Sequence, residues 1–385
     1  MNHYFLRILI TSSLLLTFVL TGCGERENDT QSSNCAELIP LRQWESDPSA
    51  VAMLFTVENC KTGEVYADFD ETAFAIAEDG KPLSSEAVPR IMPSKGHRVH
   101  VTLMLDLSGS TAPNLAELQA GARRFVEQIL VEQALDNVYI GLSAFDGSAT
   151  PTELERPTPD AQRLIASIDG LTNFNGPDPG STNLYGATRQ GVQNLQVHQQ
   201  MIMDRNHGGV VTTGYLVLFT DGGDTARREE ADQAISAVAS ARTFDSQAGA
   251  QPTVRTIAVG LKGQDYNPDA IARLVGGKEW VSEADIARLG ETFEEVGRQI
   301  ARRIKGTYLL AYCSASRAND HTVTVELTNQ PSNQLKFDFN ANHFGGGCDA
   351  NFFETACDTR SCGGFNCGAC ADEQATCSVS SGQCN

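Results

Sequence analysis

Three short clusters of Asp, Ser and Thr could together bind a cation, and each lies beside a segment that predicts a strand or a helix. Asp106-Leu107-Ser108-Gly109-Ser110 comes at the end of the apolar run 100–105. Ser181-Thr182-Asn183 precedes a predicted helix, and Thr220-Asp221-Gly222 ends a second apolar run, 215–219. Carboxylates and hydroxyls are ligands of small hard cations, and Mg²⁺ prefers six oxygens in near-octahedral geometry. The sequence therefore predicts an oxygen-only cation site built from strand-to-helix loops.

The predicted metal ligands are carboxylates and hydroxyls: Asp106, Ser108, Ser110, Thr182 and Asp221. The first three would come from one short turn, and the other two would close the site from neighbouring loops. Because only two acids are present, we expect one position of the cation to stay open or water-filled and to attract a carboxylate from elsewhere. Asp, Ser and Thr are also preferred helix N-caps, so each residue alone could be a cap. The complete set favours the metal site, and its oxygens suit Mg²⁺, Mn²⁺ or Ca²⁺.

This set of residues resembles the metal-ion-dependent adhesion site of von Willebrand factor A domains, the family that includes integrin inserted domains. The resemblance covers residues 97–306, about half of the 385-residue chain. It implies the same five ligands, delivered from a first, a second and a third loop. It also implies that an Asp or Glu of a protein ligand fills the open position of the cation.

Near-continuous apolar runs in this region predict parallel strands that are covered on both faces. The clearest runs are 99–105 and 215–219, and the weaker ones are 138–145 and 254–259. Apolar residues recur at helical spacing in the intervening segments 115–135, 227–242 and 289–304. Alternating strands and helices predict an α/β fold with a doubly wound, mostly parallel sheet. Ligands of such sheets bind beyond the carboxyl ends of the strands, where the strand order reverses, and Asp106 and Asp221 follow such ends.

Four stretches outside this region alternate apolar and polar residues with the period of half-buried strands. They are 51–57, 73–77, 321–327 and 335–339, and the second leads into the hairpin-turn signal Asp79-Gly80. Neither the upstream nor the downstream pair contains enough strands for a stable sandwich. We therefore expect the two groups to pair with each other, which would insert the central α/β region into a β-sandwich.

The first 23 residues predict a targeting signal that ends in a lipid attachment site. Arg7 supplies a positive charge, and 8–20 is a mostly apolar segment that is too short for a comfortable membrane span. The ending Leu20-Thr21-Gly22-Cys23 resembles a bacterial lipobox, in which cleavage precedes the cysteine and its thiol accepts the lipid. We expect Cys23 to anchor the chain to a membrane of the bacterial envelope, with an ordinary secretory signal and an incidental cysteine as the alternative. Gly24, in place of Asp, leaves sorting to the outer membrane open.

Eleven cysteines in an exported protein predict disulfides. Setting Cys23 aside leaves ten, an even number, and six of these crowd into 357–384. Cys367 and Cys370 form a CxxC pair, which in a cytosolic protein would suggest zinc or redox chemistry; outside the cytosol the disulfide interpretation is favoured. The predicted parts are a signal peptide with its lipobox (1–23), a polar tether (24–49), the first part of the sandwich (50–96), a von Willebrand factor A domain (97–306), the second part of the sandwich (307–346) and a cysteine-rich tail (347–385).

Two segments, 147–160 and 173–180, are rich in Pro, Gly, Thr and Asp and predict loops. The second runs directly into Thr182, so we expect Asp178 and its neighbours to border the metal. Binding specificity commonly resides in loops of this kind. The alternative is that both are ordinary surface connections.

The net charge of −19 argues against binding to a phosphate backbone, so we expect no nucleic-acid partner. The chain has no HExxH, GxSxG or P-loop motif and its histidines are scattered, which argues against an enzyme. His100, inside an apolar run, is expected to be a core or sheet-end residue. The favoured function is a cell-surface lipoprotein that binds a protein or other acidic ligand through a divalent cation. The alternative is a structural part of an envelope assembly in which the metal only stabilises the loops.

Overall fold

A computed structural model of the chain describes residues 35–46, 49–84, 87, 89–93, 97–135, 137–173, 176–205, 211–242, 252–262, 266–276, 280–284, 288–345, 361–362 and 365–366. The predicted signal peptide with Cys23, and most of the predicted cysteine-rich tail, lie outside the described residues. Among the helices described, none combines the length and the apolar character needed to cross a membrane.

The described residues form strands and helices in the following order along the chain. The strands are β1 (Ala36–Ser46), β2 (Ala50–Asn59), β3 (Phe74–Glu78), β4 (Lys81–Pro82), β5 (Arg90–Pro93), β6 (His97–Asp106), β7 (Val138–Phe145), β8 (Thr152–Thr158), β9 (Val211–Thr220), β10 (Val254–Leu261), β11 (Trp280–Ala284), β12 (Thr307–Cys313), β13 (Asp320–Leu327), β14 (Gln330–Asn340), β15 (Ser361–Cys362) and β16 (Phe365–Asn366). The α-helices are α1 (Leu115–Val126), α2 (Ala161–Asp169), α3 (Leu184–Arg205), α4 (Ala231–Arg242), α5 (Pro268–Val275) and α6 (Leu289–Lys305). Single 3₁₀ turns at Glu71–Ala73, Ala112–Asn114 and Gly170–Asn173 and a π-helical segment at Glu127–Glu132 complete the description.

The central sheet has six strands in the order β11-β10-β9-β6-β7-β8. Neighbouring strands are parallel, except that β8 runs antiparallel to β7. Counted from β6 as the first strand, this is the order 3-2-1-4-5-6 of a doubly wound sheet. The winding direction reverses between β6 and β9, so these two strands border the crevice in which such sheets bind ligands. The predicted doubly wound, mostly parallel sheet is confirmed.

Helices cover both faces of the central sheet. On one face α1, α2 and α6 pack on alternate residues of β6, among them Val101 and Leu103. On the other face α3, α4 and α5 pack on the intervening residues, among them Met104. Because both faces are buried, β6 and β9 read in the sequence as near-continuous apolar runs and not as alternating ones.

Two of the predicted boundaries in this region are wrong. The predicted loop 147–160 contains the edge strand β8, which pairs on one side only and therefore tolerates Pro157 and several charged residues. The predicted helix 227–242 begins only at Ala231, because the preceding residues form a loop that bonds to neighbouring loops. In the first of these segments the local polar pattern gave no indication that β8 pairs with β7.

Two four-stranded sheets, β1-β2-β12-β5 and β14-β13-β3-β4, enclose a second apolar core. The segments before and after the central region do pair: β2 with β12, and β3 with β13. The expected sandwich of paired flanking strands is therefore present. Asp79 and Gly80 both have positive φ, 52° and 74°, which makes the predicted hairpin turn between β3 and β4 a two-residue turn of the primed kind. Cys35, Cys60 and Cys313 are each disulfide-bonded.

The amino-terminal strand of this sandwich corrects one prediction. Residues 36–46, expected as part of the polar tether 24–49, form β1, which pairs antiparallel with β2 along its whole length. Ala36, Leu38 and Leu41 are buried. A register shift between Pro40 and Arg42 moves the apolar residues from even to odd positions. The break in alternation removed the period-two pattern by which the strand could have been predicted.

Candidate metal centre

The five predicted metal ligands lie beyond the carboxyl ends of β6 and β9 and at the start of α3. β6 and β9 are adjacent and in register, so that Leu105 pairs with Phe219 one residue before the last residue of each strand. Asp106 therefore ends one strand while Asp221 follows the other. The negative charge of Asp221 acts on Asp106 and is one of the causes that raise its pKa. The two acids are thus brought together at the point where the sheet reverses its winding.

The carboxylate of Asp106 is fully buried and held at both oxygens. The backbone N–H of Ser108 donates to Oδ1 at 3.0 Å, and the hydroxyl of Thr220 donates to Oδ2 at 2.8 Å. Burial, which the hydrogen bond from Ser108 only partly offsets, and the charge of Asp221 raise the pKa of Asp106 to about 7. A cation beside this pair of acids would favour their charged forms, since opposite charge acts against both causes.

The two serines of the first loop lie side by side. Their hydroxyl oxygens, on Ser108 and Ser110, are 3.1 Å apart. The hydroxyl of Thr111 closes the turn by donating to the carbonyl oxygens of Asp106 and Ser108, at 2.8 and 2.9 Å. Ser108 is buried, whereas Ser110 is exposed. The hydroxyl pair therefore runs from the buried carboxylate towards solvent.

Thr182 is held through its backbone, and a neighbouring residue caps the helix. The N–H of Thr182 donates to the hydroxyl of Thr225 at 2.9 Å, and its carbonyl accepts from the N–H groups of Thr225 and Ala226. The side chain of Asn183, directly before α3, accepts from the N–H of Gly186 at 3.2 Å as an N-cap does. The alternative that Thr182 serves only as the helix cap is therefore wrong, because Asn183 caps α3.

Asp221 supplies the observation that bears most directly on a cation. It is 2 % exposed, and its Oδ1 accepts a long hydrogen bond, 3.4 Å, from the N–H of Gly223. Its Oδ2 is buried and has no hydrogen-bond partner among the described residues. A buried carboxylate oxygen without a partner is costly, and a bound cation satisfies it. The donor set of two acids and three hydroxyls therefore fits a hard divalent cation.

Residues that were not predicted as ligands join the loops around the candidate metal site. Asp146 accepts from the N–H of Ser148 at 2.8 Å and from the N–H of Asp178 at 3.0 Å, and the N–H of Gly109 donates to Pro179 at 2.7 Å. These contacts join the loops after β6 and β7 to the segment before Thr182. No sequence motif marked Asp146 for this role, since a single acid after a strand has no distinctive spacing.

Asp178 and Arg228 fasten the outer rim of the loops. The carboxylate of Asp178 accepts from the Ser181 hydroxyl at 3.0 Å and from Arg228 Nη2 at 3.2 Å. Arg228 also donates through Nε to the carbonyl of Gly147. Asp178 therefore lies in the loop expected to border the site, with its side chain engaged by Ser181 and Arg228.

His100 lies at the opposite end of the sheet from these loops and is fully buried, as expected. Its ring stacks on Tyr139 at a centroid distance of 5.4 Å and meets the ring of His198 edge-on at 4.8 Å. Burial, together with the charges of His198 and Arg98, holds the pKa of His100 well below its ordinary value. His100 is a neutral core residue.

Comparison with known proteins finds similarity only among solved structures. No family model matches the chain, and no curated protein is similar to it. The manganese-loaded TRAP protein of Plasmodium vivax is 15% identical, with 68% of this chain and 98% of that one covered and a TM-score of 0.40. The vWF domain of the type V pili tip protein Mfa5 of Porphyromonas gingivalis is 13% identical, with 53% and 95% covered and a TM-score of 0.34. Proximal thread matrix protein 1 of the mussel byssus, with a zinc-occupied MIDAS motif, is 12% identical, with 59% and 50% covered and a TM-score of 0.37.

Proposed function

We propose that the protein is a cell-surface lipoprotein that binds a protein or other acidic ligand through a divalent cation. The cation would be held by Asp106, Ser108, Ser110, Thr182 and Asp221. The observation that carries this proposal is the buried Oδ2 of Asp221, which lacks a hydrogen-bond partner among the described residues beside a second, fully buried acid. Among the described residues, no cationic side chain bonds to either of these buried acids. A bound cation would supply the compensating positive charge.

The chemistry of such a cation is the attraction and coordination of an anionic oxygen. Five protein oxygens leave an octahedral cation such as Mg²⁺ one further position, which a water or a ligand carboxylate takes. Of the five residues only Ser110 is exposed, so the ligand would approach from its side. Hard oxygen donors suit Mg²⁺, Mn²⁺ and Ca²⁺ alike, and we propose Mg²⁺ as the resident ion.

The hydrogen bonds around the site favour a binding role over a purely structural one. The loops are already joined to each other without a cation, through Gly109 and Pro179, through Thr182 and Thr225, and through Asp146. A cation whose only purpose was to hold the loops would duplicate these contacts. The structural alternative, a part of an envelope assembly, would be supported by a bound cation that no carboxylate ligand can reach.

Calorimetric titration of the purified protein with Mg²⁺, Mn²⁺ and Ca²⁺ tests the site. We expect saturable 1:1 binding that disappears in Asp221→Ala and Asp106→Ala. Asp232→Ala, which removes an exposed acid on α4, serves as the matched control and should bind as the wild type does. Absence of binding in the wild type, or unchanged affinity in both site variants, would contradict the proposed metal centre.

Anchoring through Cys23 completes the proposal and has its own test. The residue lies in the lipobox-like ending Leu20-Thr21-Gly22-Cys23. We expect Cys23→Ser to move the protein from the membrane fraction into the soluble fraction of the cell envelope. Retention of the variant in the membrane, insensitive to globomycin, would contradict a lipid anchor and leave the metal site unaffected.

A further inference from the structure

We propose that Thr220 is a positioning residue that links the two acidic loops and forms the cation site before the cation arrives. This inference rests on the proposed metal centre and adds to it a residue that does not touch the metal. The hydroxyl of Thr220 donates to Asp106 Oδ2 at 2.8 Å and accepts from the N–H of Gly222 at 3.0 Å. Thr220 and Asp106 have no exposed surface. One buried hydroxyl thus bonds to a carboxylate in the first loop and to the backbone of the third.

The direction of these two hydrogen bonds follows from the groups involved. With a cation bound, the carboxylate of Asp106 is charged and only accepts, and a backbone N–H only donates. The single proton of the Thr220 hydroxyl therefore points to Asp106, and its oxygen accepts from Gly222. A hydroxyl that accepts one hydrogen bond while donating another is polarised, which strengthens its bond to the carboxylate.

The same contacts set the orientation of the Asp106 carboxylate. Ser108 donates to one of its oxygens and Thr220 to the other, so rotation about the side chain would break at least one bond. Each carboxylate oxygen has two acceptor sites, which leaves lone pairs free for a cation. Without the hydroxyl of Thr220, Oδ2 would be a second buried oxygen without a donor, next to that of Asp221.

The turn that carries Asp221 also packs against the start of α5. Gly222 has φ of +85°, and a Cβ at this position would lie 2.6 Å from Ile271 Cδ1 and 2.8 Å from the carbonyl oxygen of Asn267. The N–H of Asn267 also donates to the carbonyl of Asp221 at 2.9 Å. Since Thr220 accepts from Gly222, its hydroxyl connects the carboxylate of Asp106 to a turn that packs closely against Ile271 and Asn267. The distance between the two acids is therefore set before metal binding.

Three substitutions separate the hydroxyl from the volume of the side chain. Thr220→Val keeps the shape and removes the hydroxyl, whereas Thr220→Ser keeps the hydroxyl. The control is Thr256→Val, because Thr256 is a buried threonine of the same sheet whose hydroxyl has no hydrogen-bond partner among the described residues. Loss of an outer-shell group that orients a ligand costs about 10- to 100-fold in metal affinity.

The experiment is calorimetric titration of the purified full chain with Mg²⁺ and with Mn²⁺. We expect Thr220→Val to weaken both affinities by about 10- to 100-fold, while Thr220→Ser and Thr256→Val stay close to the wild type. Wild-type affinity in Thr220→Val would overturn the inference, and so would equal losses in the Val and Ser variants. If Thr220→Val does not fold, as judged by circular dichroism, Thr220→Ala replaces it in the comparison. Absence of binding in the wild type would contradict the proposed metal centre itself. Binding by the wild type with unchanged affinity in Thr220→Val would contradict only the role of Thr220.

Discussion

Glu58, at the end of β2 in the sandwich, and Arg255, near the start of β10 in the central sheet, form a buried ion pair with Arg255 Nη2 2.6 Å from Glu58 Oε1. Arg303 of α6 lies 3.1 Å from the same oxygen through Nη1 and donates to the carbonyl of Gly63 through Nη2. The side chains of the three charged residues are between 6% and 11% exposed. Burial alone would raise the pKa of Glu58, but the two arginines and the hydroxyl of Thr56 outweigh it and hold that pKa below its ordinary value.

This cluster joins the sandwich to the central region at the amino end of the sheet, opposite the candidate metal centre. We expect Glu58→Gln to lower the free energy of unfolding by about 3 to 5 kcal/mol, because it removes the negative charge that two largely buried arginines share. Urea denaturation followed by circular dichroism measures the loss. Glu291→Gln breaks an ion pair with Arg288 in which both side chains are more than 70% exposed, and should cost no more than about 0.5 kcal/mol. Equal stability of the two variants would contradict a structural role for the Glu58 cluster.

The hydrogen bond between His321 and Asp79 should make the stability of the sandwich depend on pH. Nδ1 of His321 lies 2.7 Å from Asp79 Oδ2, and Nε2 lies 2.8 Å from the carbonyl of Ala318. The bond to Asp79, with the nearby charge of Glu78, raises the pKa of His321 above its ordinary value, and the bond to His321 lowers the pKa of Asp79. A raised histidine pKa stabilises the fold fully below about pH 6.5, its value in the unfolded chain, and this contribution is lost as pH rises through the folded pKa. The lowered carboxyl pKa contributes above about pH 3.9 and is lost as pH falls.

The pair is therefore strongest in mildly acidic solution. As pH rises from 6 to 9, we expect the wild type to lose more stability than His321→Gln, by a measurable amount of up to about 1 kcal/mol. Asp79→Asn, which removes the carboxylate and keeps the hydrogen-bonding shape, should flatten the same slope. Parallel pH profiles for the wild type and His321→Gln would show that this pair does not contribute.

Asp221→Asn should separate the stability of the site from its cation binding. In EDTA we expect the variant to be at least as stable as the wild type, because it removes the repulsion between Asp221 and the buried Asp106. At a cation concentration about 100 times the dissociation constant, the wild type should gain about 2.7 kcal/mol and the variant nothing. Thermal unfolding with and without Mg²⁺ measures both effects. An equal gain in the wild type and the variant would place the cation elsewhere in the protein.

Gly121 on α1 allows close packing against α6 behind the candidate metal centre. A Cβ at this position would lie 2.5 Å from Phe293 Cδ2, and the Phe293 ring stacks on Phe219, the residue before Thr220, at 3.5 Å. We expect Gly121→Ala to destabilise the protein by about 1 to 3 kcal/mol through overpacking. A Cβ at Gly290, in the first turn of α6, would have no described atom within 4 Å, so Gly290→Ala should be neutral or stabilise by up to about 1 kcal/mol. Chemical denaturation of both variants measures their free energies of unfolding. Equal changes in Gly121→Ala and Gly290→Ala would contradict the close packing of Gly121 on Phe293.

Much of the fold and the placement of the candidate ligands could be predicted from local sequence patterns. The near-continuous apolar runs that became β6 and β9 report burial on both faces, which is a property of each strand by itself. Strand β13 and the Asp79-Gly80 turn were also predicted from the sequence, because alternation and turn chemistry depend on neighbouring residues. Where the pattern was interrupted, as at the register shift in β1, the prediction was wrong.

The sequence by itself determined which oxygen-bearing residues are available and which strand or helix end carries each of them. Only the tertiary structure decided which of them are buried, which hydroxyl is bonded to which acid, and which acid oxygen lacks a partner among the described residues. Thr220 and Asp106 are 114 residues apart along the chain, and Glu58 and Arg255 belong to different layers of structure. Contacts of this kind depend on strand order and register, which bring distant residues within hydrogen-bond distance. A local pattern carries no information on that distance. The candidate metal ligands could therefore be proposed from the sequence, whereas the residues that hold them in place could not.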